Sequence, residues 1–117
     1  MTERSAKNIP KLLADPYAEI ILSATYRSPH SALELVRKYS IPTAACYRKI
    51  HELEEAGMIK CVDVIKSMKG KRIKRYRANI EGAYLTFENG SFMVKLQFKR
   101  AKGDREGEEW LTLKLQP

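Results

Sequence analysis

The hydrophobic period of this chain changes once, at Gly57, and that change constrains the fold more than any other feature. Before it, apolar residues recur every three or four positions: Leu33, Val36 and Tyr39 with Leu35 beside them, then Cys46, Ile50 and Leu53. That is the stripe of an amphipathic helix. After it the residues turn β-branched and alternating, beginning with IKCVDVI over Ile59–Ile65. Helices gathered at one end and strands at the other give an α+β chain rather than alternating βαβ units. A length of 117 residues allows one compact domain, or one domain with a small appended module.

Local punctuation sets the boundaries. Met1–Asn8 is polar and expected to fray, and Pro10 restricts Ile9–Ala14 to a short helix. Asp15-Pro16 reads as an N-cap followed by a proline in the first helical position, opening a helix through Tyr17–Ala24 with Ile20, Ile21 and Leu22 feeding the core. Ser31, three residues before Glu34, supplies a capping box for a second helix over Ala32–Tyr39. Ser40-Ile41-Pro42 leaves room only for a tight turn. A third helix follows over about Thr43–Ala56, and Gly57 stands where a left-handed cap ends it. Strand Ile59–Ile65, a turn at Lys66–Lys71 containing Gly70, and strand Arg72–Ala78 make a hairpin.

A second hairpin is fixed in register. Asn89-Gly90 favours a two-residue turn with positive φ at both positions. Centred there, Phe87 meets Phe92, Leu85 meets Val94 and Ala83 meets Leu96, all on one face. The other face pairs Glu88 with Ser91, Thr86 with Met93 and Tyr84 with Lys95. A slip of one residue would destroy this segregation. Lys99–Glu109 reads as a charged loop, and Trp110–Leu115 as a third strand with Leu111, Leu113 and Leu115 on one side.

The distribution of charge narrows the function. Net charge is +8, from 22 Lys and Arg against 14 Asp and Glu. Residues 1–57 and 81–117 are close to neutral. Residues 58–80 carry Lys60, Lys66, Lys69, Lys71, Arg72, Lys74, Arg75 and Arg77 against Asp63 alone. Nearly all the excess lies on one hairpin, where it suits contact with a polyanion. A charged edge that only blocks aggregation is the alternative.

Other classes find less support. No window is long and apolar enough for a membrane helix, and no signal peptide is expected from the polar first residues. Cys46 and Cys61 fit a reducing cytoplasm as small core residues rather than a disulfide or redox pair. No nucleophile–base pair, phosphate-binding glycine loop or ligand cluster stands out, so neither an enzyme nor a cofactor or metal is expected. No residue cluster points to a small-molecule effector.

The segment Ser31–Tyr76 resembles the winged helix-turn-helix domains of prokaryotic regulators, especially the ArsR-like and MarR-like groups. Its most specific stretch is IPTAACYRKIHELEEAGMI, Ile41–Ile59: an apolar residue entering the turn, small residues opening the recognition helix, Tyr-Arg in its middle, then Leu-Glu-Glu-Ala-Gly. The Cys-x-Cys pair typical of the ArsR-like metal sensors is missing, which argues against metal sensing. The resemblance implies a three-helix core with a basic β-hairpin wing over residues 1–80. Residues 81–117 would be a C-terminal antiparallel β extension. It also implies a buried Tyr76 and a wing tip at Lys69–Arg72.

On that reading the partner is double-stranded DNA and the role is transcriptional regulation. At 100° per residue, the inward Cys46, Ile50 and Leu53 leave Ala44, Arg48, His51 and Glu55 on the opposite face, flanked by Ala45 and Tyr47. Ala44 and Ala45 are small enough for close approach to bases, and Arg48 suits a bidentate guanine contact. Tyr47 and Lys49 are assigned to phosphates, and Thr43 joins the free N–H groups of the helix start. Lys69, Lys71, Arg72 and Lys74 are the wing contacts. His51 is read either as a contact or as a solvated helix residue. The apolar face of the last strands is expected to build a homodimer, or else to cover only its own domain. A protein-docking module and an RNA-binding protein are the rivals, since both want the same basic hairpin.

Overall fold

The computed structural model describes residues 9–99 and 109–115, so the expected fraying of Met1–Asn8 and most of the loop expected at Lys99–Glu109 lie outside the described residues. A short helix α1 covers residues 9–13. It is followed by α2 (Pro16–Arg27), a two-residue strand β1 (His30–Ser31), α3 (Ala32–Tyr39) and α4 (Thr43–Glu55). Strands β2 (Ile59–Lys66) and β3 (Arg72–Ala78) come next, then β4 (Ile80–Glu88), β5 (Ser91–Phe98) and β6 (Glu109–Lys114). The strands form two antiparallel sheets, ordered β1-β3-β2 and β4-β5-β6.

Each helix boundary has a chemical cause. The Asp15 carboxylate accepts from the N–H groups of Tyr17 (2.9 Å) and Ala18 (3.0 Å), with Pro16 inside the first turn. At α3 the Ser31 hydroxyl accepts from Glu34 N–H while the Glu34 carboxylate accepts from Ser31 N–H, a complete capping box. The turn into α4 is made by Ser40 in the left-handed region, φ 56° and ψ 40°. Left-handed backbone costs a non-glycine residue about 1 kcal/mol or more. The burial of Ile41, 2% exposed immediately after it, offsets that cost. Gly57, φ 76°, ends α4, and Met58 N–H returns to the Leu53 carbonyl at 2.9 Å.

A single buried cluster joins helices and strands. Ile9 and Leu12 of α1, Ile21 of α2, Leu35 of α3, and Cys46, Ile50 and Leu53 of α4 meet Met58, Ile59, Ile80, Val94 and Leu96. Each fully buried side chain of this size contributes about 1.5–3 kcal/mol. The second hairpin has the register expected from its Asn-Gly turn. Phe87 pairs with Phe92, Leu85 with Val94 and Ala83 with Leu96, and Asn89 (φ 52°) and Gly90 (φ 79°) take the required positive angles. Leu111 and Leu113 then pair with Leu96 and Val94 across β5.

Two expectations are corrected. Leu33 is 43% exposed; the stripe of α3 that meets the core is Ala32 and Leu35, flanked by Val36 and Tyr39. Cys61 is exposed rather than in the core, because β2 carries a bulge between Cys61 and Asp63 on a strand that has left the core after Ile59. The outer half of the apolar hairpin face, Leu85, Phe87 and Phe92, is 57%, 63% and 53% exposed, while Val94 and Leu96 are fully buried.

Asp15 holds two structures at once, since its carboxylate also lies 3.4 Å from Lys49 Nζ on α4. Burial raises its pKa, but the N–H groups of Ala18 and Tyr17 and the Lys49 ammonium outweigh that effect and hold the carboxyl below its usual value. Asp15→Ala is expected to cost about 1 kcal/mol of stability, whereas Asp15→Asn keeps the cap and loses only the charge pair. Urea unfolding of the two variants at neutral pH checks this. Equal losses would mean that the cap contributes nothing.

Candidate nucleic-acid interface

The charged hairpin is β2 and β3, joined through Ser67–Lys71. Ser67 N–H donates to the Lys71 carbonyl at 2.8 Å, Gly70 N–H to the Ser67 carbonyl at 2.9 Å, and Lys71 N–H to the Ser67 hydroxyl at 3.1 Å. Gly70 takes φ 80° with nothing around it, a conformation that any side chain would strain. These bonds present Met68, Lys69 and Lys71 at the turn, all exposed.

Among the described residues only one of the eight cations in this hairpin is neutralised. Arg75 grips Asp63 with two parallel bonds, Nε to Oδ1 at 2.7 Å and Nη2 to Oδ2 at 2.5 Å. That grip holds the Asp63 carboxyl below its usual pKa and raises that of Arg75. The other seven, Lys60, Lys66, Lys69, Lys71, Arg72, Lys74 and Arg77, are exposed, and among the described residues none of them has an acidic partner within ion-pair distance.

Strand alternation divides these charges by face. The register pairs Lys66 with Arg72, Val64 with Lys74 and Cys61 with Tyr76 on one face. At its root this face continues into Ile59 and Ala78, which are buried. Further out the hairpin and the helices enclose a cleft of about 640 Å³, lined among others by Leu33, Arg37, Tyr47, Lys71, Arg72 and Lys74. Four expected site residues therefore share one concavity: Tyr47, Lys71, Arg72 and Lys74. Tyr76 lies at its inner wall, half-buried against the core, and burial pushes its phenol pKa up.

Helix α4 presents the others. Its N-cap is Pro42, whose side chain can accept no hydrogen bond, and the first internal bond is Cys46 N–H to the Pro42 carbonyl at 2.9 Å. Thr43 and Ala44 at this helix start are exposed. Arg48 is 64% exposed and only 4.0 Å from Glu52, a loose contact of the kind that contributes little. His51 is 79% exposed, with Glu55 at 3.8 Å.

Two expected contacts are reassigned. Ala45 is 9% exposed and belongs to the buried cluster. The Lys49 side chain is only 15% exposed and lies between Asp15 and Glu52, at 3.4 and 3.5 Å. The reason is geometric. On a helical wheel Ala45, Lys49 and Glu52 share one flank of α4 while Tyr47 lies on the other. The start of α2 covers the first flank and leaves the second open. A wheel drawn for one helix treats both flanks alike.

Sequence reading missed Leu33 and Arg37 of α3 and Ile65 and Ile73 of the hairpin, all of which line the cleft. The basic last turn of α3, Arg37-Lys38, was the available signal. The strand β1 was missed as well. His30 and Ser31 pair with Tyr76 and Arg75 and tie the start of α3 to the hairpin. His30 is 6% exposed, with Nδ1 2.8 Å from the Ser28 carbonyl.

The fold is similar to that of NolR from Sinorhizobium fredii. The TM-score is 0.51 at 13% identity, over 67% of this chain and 72% of that one. At this identity the likeness is one of fold. No protein-family model matches the sequence, and no curated protein does. Among the described residues no helix is long and apolar enough to cross a membrane, and no group of three or more His, Cys, Asp or Glu is placed to hold a metal ion.

The reassignment of Ala45 separates two neighbouring alanines. Ala45→Leu is expected to overpack the core and cost about 1–3 kcal/mol. Ala44→Leu, on the open face, should stay within about 0.5 kcal/mol of the parent. Chemical denaturation of both variants reads the difference, and equal stabilities would return Ala45 to the surface.

Proposed function

We propose that this chain is a sequence-specific DNA-binding transcriptional regulator of the winged helix-turn-helix type. In this reading α2, α3 and α4 are the three-helix core, α4 is the recognition helix, and the β2–β3 hairpin is the wing. Residues 1–80 form the DNA-binding unit and residues 81–117 an extension that serves a two-fold dimer. The observation that carries the reading is the group of seven cations on one hairpin with no acidic partner among the described residues, next to an exposed helix face that begins with small residues.

The assigned roles follow from reach and chemistry. The wing residues Lys69, Lys71, Arg72 and Lys74 neutralise phosphates, which gives affinity without sequence preference. Tyr47, on the same cleft, contacts the backbone between helix and wing. Thr43 and the open N–H groups at the start of α4 receive one phosphate, favoured by the helix dipole. Ala44 allows close approach to the base edges. Arg48, held only by a long contact to Glu52, is free to make a bidentate bond to guanine O6 and N7. His51 borders the same face. Ala45 and Lys49 serve by positioning α4 against α2 and the core. Such a regulator acts on the nucleoid, in the reducing cytoplasm that suits its two free thiols.

Removing a wing cation and removing the reading residue have different signatures. Lys71→Ala and Arg72→Ala should each weaken binding to every duplex alike and lower the slope of log affinity against log salt by about 0.9. Arg48→Ala should instead relax preference at particular base pairs, at a cost of about 1–3 kcal/mol on the preferred site. Fragments selected from a genomic pool under excess nonspecific competitor supply the preferred site, and mobility-shift titrations across salt give the slopes. Equal losses for all three variants on selected and random DNA would remove the recognition role from α4.

A further inference from the structure

The sheet β4-β5-β6 ends at β4, whose outer edge has no neighbour among the described residues. Native sheets protect such edges with lysines, prolines or bulges. At the edge β2 of the other sheet, Lys60, Asp63, Lys66 and a bulge do this. β4 reads IEGAYLTFE, so from Gly82 to Phe87 it has no charge and no proline. Its one irregularity, between Ile80 and Gly82, falls near its start and leaves Ala83–Glu88 regular.

The second observation concerns which groups face outward. A two-residue turn closes on a pair that exchanges both N–H···O bonds, here Glu88 and Ser91. The alternate residues Phe87, Leu85 and Ala83 therefore turn their own N–H and C=O groups to the free edge. Those same residues supply the apolar face, which stays open at Leu85 (57%), Phe87 (63%) and, across the hairpin, Phe92 (53%). The Phe87 and Phe92 rings lie 4.8 Å apart and form one exposed aromatic step.

We infer that β4 pairs antiparallel with β4 of a second copy about a two-fold axis through Leu85, joining two three-stranded sheets into one of six strands. A two-fold axis perpendicular to a sheet pairs residues of the same face, so the axis must fall on a residue and not between two. Centred on Leu85, Leu85 opposes Leu85 of the second copy and Ala83 opposes its Phe87. Every outward backbone group of Ala83, Leu85 and Phe87 then finds a partner. Glu88 falls opposite Gly82, and Glu81 opposite Asn89, so no like charges meet. An axis two residues further along would leave Ala83 beyond the end of the second copy's strand.

The self-complementary register favours a second copy as occupant, and the scarcity of cations on β4 and β5 argues against a nucleic acid. Glu81, Glu88 and Lys95 are the only charges on β4 and β5, and Lys95 already bonds Glu88 at 3.3 Å. The wing carries the cations instead, and two wings repel each other. The paired strands and the apolar step bury less than about 1,200 Å² in total, the small end of specific interfaces, so the dimer dissociates on dilution.

This inference gives the proposed two-fold regulator its interface, yet its test reads mass without DNA and succeeds or fails whatever the chain binds. Sedimentation of the full chain from low to high micromolar concentration should show a monomer–dimer equilibrium. Leu85→Lys, at an exposed position, should be monomeric throughout with an unchanged far-ultraviolet circular dichroism spectrum. Register is read by cysteines in a Cys61→Ser background. Leu85→Cys should give a covalent dimer on mild oxidation, because the paired Cα atoms lie about 5.5 Å apart, within disulfide range. Glu88→Cys should not, since its copies sit about 20 Å apart. A parent chain that stays monomeric at every concentration overturns the inference, as does equal crosslinking at both positions.

Discussion

One apolar cluster has to serve two sheets and four helices, and the rest of the structure follows from how it divides its contacts. Ile59 enters it from the first hairpin, while Ile80, Val94 and Leu96 enter from the second. Each hairpin is therefore anchored at its root and free beyond it. The first runs outward from Ile59 and Ala78 to a Met68 that is fully exposed. The second runs outward from Val94 and Leu96 to Phe87 and Phe92. Because both roots lie in the same core, neither hairpin can shift its register without opening the cluster that holds the helices. The two projecting halves differ only in chemistry, one cationic and one apolar.

The helices are held to this cluster by polar joints as well as by burial. Asp15 caps α2 and pairs with Lys49 of α4, so one carboxylate fixes the start of one helix and the flank of another. Ser31 caps α3 and at the same time pairs through β1 with the hairpin, at Arg75. These joints explain why α4 turns a particular face outward: its Ala45–Lys49–Glu52 flank is taken, and Tyr47, Arg48 and His51 are left.

Much of this architecture was legible in the chain because its signals are local. Asp15-Pro16, Ser31 with Glu34, Gly57 and Asn89-Gly90 each act over two to four residues, and the boundaries and registers they govern lie where the sequence places them. What stayed hidden depends on contacts far apart in sequence. β1 is two residues long and exists only because β3 passes beside it. The burial of Ala45 and the engagement of Lys49 come from α2, a helix some thirty residues earlier. Leu33 looks like a core residue by type and spacing, and only the position of the hairpin leaves it on the wall of a cleft. Of the site, the cationic hairpin and the open face of α4 could be read directly, whereas their meeting around Tyr47 could not.

The lopsided charge also bears on the approach to the proposed polyanionic partner. A net charge of +7 on one projecting hairpin, from eight cations against Asp63, attached to a body close to neutral, gives the molecule a strong electric dipole along that hairpin. In the field of a polyanion such a body turns before it touches, and arrives hairpin first. Steering of this kind raises association rates by factors of about 10 to 1,000 and fades as salt shortens the Debye length. Arg75, held by Asp63, adds nothing to that dipole. The single acidic residue of the hairpin thus trims that dipole by one charge of eight.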